Sequence, residues 1–293
     1  MTDRAVRPAG SSGGGRESSA TELTRDGRSP GDMAEASGPP GLSKVHATSP
    51  ALERQPTSAA PEIVPPEDGQ WIDRWISSER LSRYLHEAEG DRIRALALYE
   101  WNTQISASFH RDLAHVEVAL RNAYDGAAAG WKGPGHWLID GYPILFAPVM
   151  RTKRQQQAGE WTRRRVDINA KPRALIEKAI HNAGGSRATP GKVVAELTFG
   201  FWRYLSSSAH EKSLWVPLLH RAFPPRTRRM DVDSRVGRLY ELRNRTAHHE
   251  PLFGEDVAGR VTDLLTVAEL LQPELSAHVR ATSTVLALAA VRP

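Results

Sequence analysis

The sequence predicts an all-α protein: a helical bundle over residues 67–293, preceded by a disordered tail over 1–66 and interrupted by a loop-rich basic insertion at about 131–190. Three observations predict it. Downstream of the tail, apolar residues recur at spacings of three and four, the repeat of a helix that buries one face. No stretch alternates apolar and polar residues convincingly enough for a half-buried strand. The first 66 residues are crowded with Gly, Ser, Pro and Ala and hold almost no aromatic or long aliphatic side chains, so they cannot bury enough apolar surface to offset the entropy of ordering.

Within the tail, Gly13-Gly14-Gly15 lacks the strand-turn-helix setting of a phosphate loop and reads as a flexible linker. No secretory signal is expected, because no apolar core follows the early arginines. No continuous apolar span is long enough to cross a membrane, the stretch from Val285 to Val291 included.

The bundle begins near Trp71, where Trp71, Ile72, Trp75 and Ile76 form an apolar face that Leu81 and Leu85 extend. After Gly90, Asp91 is placed to cap a long helix whose apolar residues run from Ile93, Leu96 and Tyr99 to Leu113, Val116, Leu120 and Tyr124, with a break expected between Ser106 and Ser108. On it Glu117 and Arg121, four apart, share a face. In the insertion, Gly133-Pro134-Gly135, Tyr142-Pro143 and Pro148 punctuate a loop whose Trp131, Trp137, Tyr142 and Phe146 pack against the bundle.

A basic run follows: Arg151, Lys153, Arg154, Arg163, Arg164, Arg165, Lys171 and Arg173, against only Glu160 and Asp167. This local excess rivals the net charge of +5 of the whole chain. A second cluster, Arg221, Arg226, Arg228 and Arg229, lies around Pro224-Pro225. Charge runs are usually solvated faces, yet positive surface beside a phosphate-handling motif is what RNA docking uses, since phosphate contacts supply most non-specific affinity. Arg163, Arg164, Arg165, Arg228 and Arg229 are the expected RNA contacts. Trp161, interleaved among them, is expected to be buried, with base stacking as the alternative.

The run 184–192 imitates a phosphate loop, but one residue too many separates Gly185 from Gly191, and Val193 stands where a magnesium-holding Ser or Thr belongs. Thr189 and Pro190 instead start a helix carrying Val193, Val194, Leu197, Phe201 and Leu205. Leu214, Trp215, Leu218 and Leu219 predict the next, kinked at Pro217. A later helix carries Val257, Val261, Leu264, Leu265, Ala268 and Leu271 and ends at Pro273; from Leu275 to Val291 a mixture of helix and tail is expected.

The remaining helix carries the chemistry. Val232, Val236, Leu239, Tyr240 and Ala247 fall at helical spacings and lead into Arg243-Asn244-Arg245-Thr246-Ala247-His248-His249-Glu250-Pro251. Asp231 or Asp233 is placed to cap its start, and Pro251 ends it. Arginine's planar fork suits phosphate, an amide orients an oxygen, and histidine is the acid or base of neutral pH. Yet Arg243 and His248, five apart, diverge by about 140° at 100° per residue. Either the helix frays before His248, or a second copy completes the site.

Other chemistries are excluded or disfavoured. The chain has no cysteine, which rules out disulfides and cysteine-ligated zinc or iron-sulfur sites and agrees with a reducing cytoplasm. Its 11 histidines show no zinc spacing, so no metal or other cofactor is expected.

The run from Arg243 to Pro251 resembles the signature of the HEPN superfamily, and in its longer form the Abi-like, abortive-infection proteins of bacteria. Leu98-Tyr99-Glu100-Trp101-Asn102, Glu117-Val118-Ala119-Leu120-Arg121-Asn122-Ala123 and Leu197-Thr198-Phe199-Gly200-Phe201-Trp202 look like the same family, so the resemblance spans roughly 71–271 in four segments. It implies an all-helical bundle and, in active members, a metal-independent ribonuclease with a site formed between two protomers. Arg243, Asn244 and His248 match the catalytic positions, with Glu117, Arg121, Asn122 and His249 in supporting places. The expectation is a cytoplasmic homodimeric endoribonuclease of the phage-defence, toxin-like type, acting on RNA and paired with a neutralising antitoxin. The alternative is a non-catalytic HEPN module that binds RNA, a nucleotide or a partner protein.

Overall fold

The computed structural model describes residues 62–157 and 160–293. They form a mostly helical fold organised around one long helix, α3 (Arg92–Ala128). The Asp91 carboxylate accepts the Arg94 N–H at 3.1 Å and starts it. At 37 residues it is about 55 Å long. It has no break at Ser106 or Ser108: both are buried, and Ser108 Oγ meets Thr284 Oγ1 at 2.8 Å, so small polar residues admit a close neighbour here. One stripe of α3, from Trp101 through Ile105, Phe109, Leu113, Val116 and Leu120 to Tyr124, supplies the main core.

Three of the surrounding helices matter most. α7 (Phe199–Leu205) and α8 (Arg229–Ala247) pack against α3 and each other, and α9 (Val257–Leu271) packs on both α3 and α8. Arg235 Nη1 and Arg238 Nε bind the buried Asp263 carboxylate at 2.8 and 2.5 Å, fixing the rotation of α8 against α9. Pro273 does more than end α9; it opens the next helix, over residues Pro273–Thr282. The C-terminal stretch is a further helix, Val285–Ala290, not a tail: Val285 and Leu288 are buried, and the Leu288 carbonyl accepts the Trp101 indole N–H at 2.8 Å.

Several expectations change. In α1 (Gln70–Ile76) only Ile72 and Ile76 are buried, while Trp71 and Trp75, on the neighbouring row, are exposed and stack at 5.4 Å. The helix expected from Pro190 to Leu205 is two, α6 (Pro190–Glu196) and α7, separated by extended backbone at Leu197 and Thr198. The carbonyl freed at Leu197 is satisfied by the buried Trp202 indole at 3.1 Å. Residues 208–222 form short 3-10 and π turns around Pro217, which has no N–H to offer.

The insertion is more ordered than its loop signals suggest. Trp137 and Phe146 are buried as expected. A helix was missed, α5 (Ala170–Asn182), whose apolar face is narrow. So was an antiparallel hairpin, β1 (Met150–Gln157) with β2 (Glu160–Asp167). Its described side chains are exposed on both faces except at the root, so no apolar alternation marks it. The fold is therefore helical with one small sheet.

Of the predicted tail, residues 1–61 lie outside the described residues. Residues 62–66 already belong to the fold, with Ile63 packed on the main core and the Glu62 carbonyl accepting from Gln104. No described helix is long and apolar enough to cross a membrane.

Candidate functional site

Helix α8 carries the motif to its end and stays regular while doing so. The His248 N–H donates to the Asn244 carbonyl at 2.9 Å, so the helix does not fray before His248. His249 then turns left-handed, with φ of 52°. Its N–H reaches the Thr246 carbonyl at 3.2 Å, and the Glu250 N–H reaches Arg245 at 2.9 Å, the pair of bonds that closes a helix through a left-handed residue. His249 therefore ends the helix, and Pro251 follows the stop. At the other end neither Asp231 nor Asp233 caps; Arg228 holds the cap position, and Asp233 pairs with Arg229 at 3.3 Å.

The charge of Arg243 on α8 acts on the carboxyl of Glu117 on α3. Burial pushes the Glu117 carboxyl above its ordinary value, although Arg243, the Phe199 N–H at the start of α7, Arg121 and His110 all pull it down. The charges of Arg121, on α3, and Arg243, on α8, thus both act on Glu117 beside the start of α7. Two guanidinium donors, Arg121 Nε and Arg243 Nε, are buried here without an acceptor among the described residues. Buried donors cost free energy until an acceptor reaches them, and two cations facing one reluctant carboxylate favour an anion.

His248 faces elsewhere. It caps the helix five positions past Arg243 and is exposed. The regular helix turns it about 140° away from Arg243. One chain thus brings together Arg243, Arg121 and Glu117 but leaves His248 outside that cluster. Asn244 is half-buried on α8, and Asn122 is exposed on α3, with no hydrogen bond from it to the motif.

Sequence reasoning missed the residues that hold the end of α8. Arg80, on α2 (Ser78–Glu87), donates to the His248 and His249 carbonyls at 3.2 and 3.3 Å, which fixes the histidine backbone. Asn102, buried in α3, accepts the Leu252 N–H at 2.7 Å and donates to the Glu250 carbonyl at 3.3 Å. Arg245 donates to the Pro251 carbonyl at 2.6 Å and pairs with Glu255. A polar residue inside the apolar stripe of α3 was a signal for Asn102; Arg80 left none, because its partners are backbone atoms far along the chain. Asn102→Ala strands the Leu252 N–H and is expected to cost about 1–3 kcal/mol. An unchanged unfolding midpoint in denaturant would show that water replaces the amide.

The hairpin sorts the basic run onto two faces. Arg154 lies opposite Arg163, Thr152 opposite Arg165, Gln156 opposite Trp161 and Arg151 opposite Val166. Opposed residues share a face, so Arg154, Arg163, Arg165 and Trp161 lie on one side, Arg151 and Arg164 on the other. Trp161 is 62% exposed, not buried as expected, and the Arg154 guanidinium lies 5.5 Å from its ring centre. Like charges directly opposed destabilise a hairpin, and a polyanion relieves that strain. Replacing Arg163 and Arg165 together with Gln is expected to flatten the salt dependence of RNA binding by about 0.7 per lost phosphate contact. Arg164→Gln alone serves as the opposite-face control, and equal effects per residue would remove the distinction between faces.

Arg229, expected to contact RNA, is instead built into the fold. It is 9% exposed, binds Glu211 at 3.1 Å and Asp233 at 3.3 Å, and donates to the Ser206 carbonyl at 2.8 Å. Its charge is balanced by two carboxylates and its Nε and Nη1 are already engaged. Arg228 is exposed beside it.

No family model matches the chain, and neither does any curated protein or any solved structure.

Proposed function

We propose that the chain is a metal-independent endoribonuclease of the abortive-infection type, cytoplasmic and toxin-like, that works as a homodimer of HEPN-like bundles. The observation that carries this reading is the division of the motif on one regular helix: a half-buried arginine with an orphaned Nε on one side, an exposed histidine on the other. Two copies meeting through the ends of α8 would supply each phosphate with Arg243 of one protomer and His248 of the partner subunit.

The chemistry needs nothing else. His248 takes the proton of an RNA 2′-hydroxyl, whose oxygen attacks the adjacent phosphorus. The 5′-oxygen leaves with a proton returned by imidazolium, giving a 2′,3′-cyclic phosphate and a 5′-hydroxyl. Arg243 holds the charge that builds on the non-bridging oxygens, and Asn244 orients one of them. Glu117 is a positioning residue, placed to orient Arg243, and the two guanidiniums of Arg121 and Arg243 outnumber its single carboxylate, so the cluster is net positive.

Wild-type protein should cleave single-stranded RNA in the presence of EDTA, and His248→Ala should lose at least about 100-fold, the low end of what a general acid-base group contributes. Persistence of cleavage in the variant, or its abolition by chelator, would overturn the proposal.

A further inference from the structure

Between α5, α7 and α8 lies a cavity of about 310 Å³ that the motif does not use. Leu175 and Phe201 give it an apolar lining, Tyr204 and Tyr240 aromatic surface, and Lys171 and Arg203 two cations. Glu241 is the acid at its rim. The cavity depends on Gly200, where a Cβ would sit 3.2 Å from the Tyr240 ring and crowd it. Its size is at the small end of the roughly 300–1,000 Å³ of small-molecule sites, room for a single nucleotide unit.

Its position gives it meaning. Tyr240 precedes Arg243 by three residues and Asn244 by four, so the cavity opens one turn, about 5.4 Å, along the helix that carries the motif. A base seated there and a phosphate at Arg243 could belong to neighbouring nucleotides. The opposite wall joins the basic hairpin: the Tyr204 hydroxyl donates to the Ile168 carbonyl just past β2 at 2.6 Å, and Arg173 bolts Asp167 to α5 at 2.5 Å. The root of the hairpin is thus held beside the cavity and the motif lies one turn along α8, so cations and aromatic rings, the combination that binds single-stranded nucleic acid, flank the cavity on both sides.

We propose that this cavity seats one base of the RNA strand beside the cleaved phosphodiester, against Tyr240 and Tyr204, with Lys171 and Arg203 on its phosphate. The proposal rests on the ribonuclease reading, and its test does not require cleavage.

The probe is a 2′-O-methyl hexanucleotide, which lacks the attacking hydroxyl, with one 5-iodouracil for photocrosslinking and a fluorophore for anisotropy. Adducts should map to Tyr240 or Tyr204. Lys171→Glu, on the surface, and Tyr240→Leu, which keeps the apolar bulk, should each weaken binding by about ten-fold, the scale of one lost stacking or phosphate contact. Uridine 5′-monophosphate, titrated alone, should bind at least about ten-fold more weakly than the hexamer; equal affinity would overturn the strand assignment in favour of a free-nucleotide site. Adducts confined to Trp161, or full affinity in folded Lys171→Glu, would overturn the cavity's role even if cleavage is confirmed. Conversely, adducts at Tyr240 in a protein that never cleaves RNA would leave the base site standing and remove the catalytic reading.

Discussion

Mixing two inactive variants, Arg243→Ala and His248→Ala, is expected to restore RNA cleavage. Each variant alone should fall by two to four orders of magnitude, roughly the range for a lost acid-base group or a lost donor to a developing oxyanion. The geometry behind this is local and firm. The helix remains hydrogen-bonded through His248, and Arg80 fixes the carbonyls at its end, so Arg243 and His248 of one chain stay on diverging faces. A site that needs both must draw them from two protomers. With free subunit exchange, half of the dimers are mixed and each mixed dimer keeps one intact pairing, which predicts about a quarter of wild-type activity. A mixture as inactive as its components, under conditions where exchange is shown by a labelled subunit, would rule out the composite site.

Acid should destabilise the fold through a buried histidine outside the α8 motif. His210 is 1% exposed, packed edge-on against Phe146 at 5.5 Å and Tyr204 at 4.8 Å, with Nε2 lacking a partner. Burial, with a smaller push from Arg151, lowers its pKa to about 4 from 6.5. Between those two values the unfolded chain binds a proton that the folded chain refuses, so this contribution is fully present above about pH 6.5 and is lost as pH falls towards 4. The loss is on the order of 3 kcal/mol, a large part of the roughly 5–15 kcal/mol that holds a domain folded. His210→Phe, which suits an aromatic pocket, should flatten the decline of melting temperature over that window. Parallel curves for wild type and variant would assign acid sensitivity elsewhere.

How much of this was legible depended on the range of each interaction. The cap at Asp91, the helix ends near Leu271 and before Pro251, and the paired faces of α3 and α8 are written in neighbouring residues, because helical hydrogen bonds and caps join positions three or four apart. The hairpin carries no such mark: its strands expose both faces, so nothing in the hydrophobic pattern fixes a period of two. The break at Leu197 was hidden for a related reason, since Val193, Val194, Leu197, Phe201 and Leu205 are all inward-facing whether or not the helix is continuous.

The sequence by itself determined that the chain is mostly helical downstream of its Gly/Ser/Pro-rich start, that Arg243, Asn244 and His248 share the end of one helix, and that the first and last of these diverge. Those are consequences of local spacing. Only the tertiary structure decided that Glu117 is buried against the charges of Arg243 and Arg121, that Arg80 and Asn102 hold the helix end, that Arg229 serves the fold, and that the hairpin parts Arg164 from Arg163 and Arg165. Each of these joins groups through packing or strand register, and neither the partner of a side chain nor the register of an exposed strand can be read from spacing along the chain.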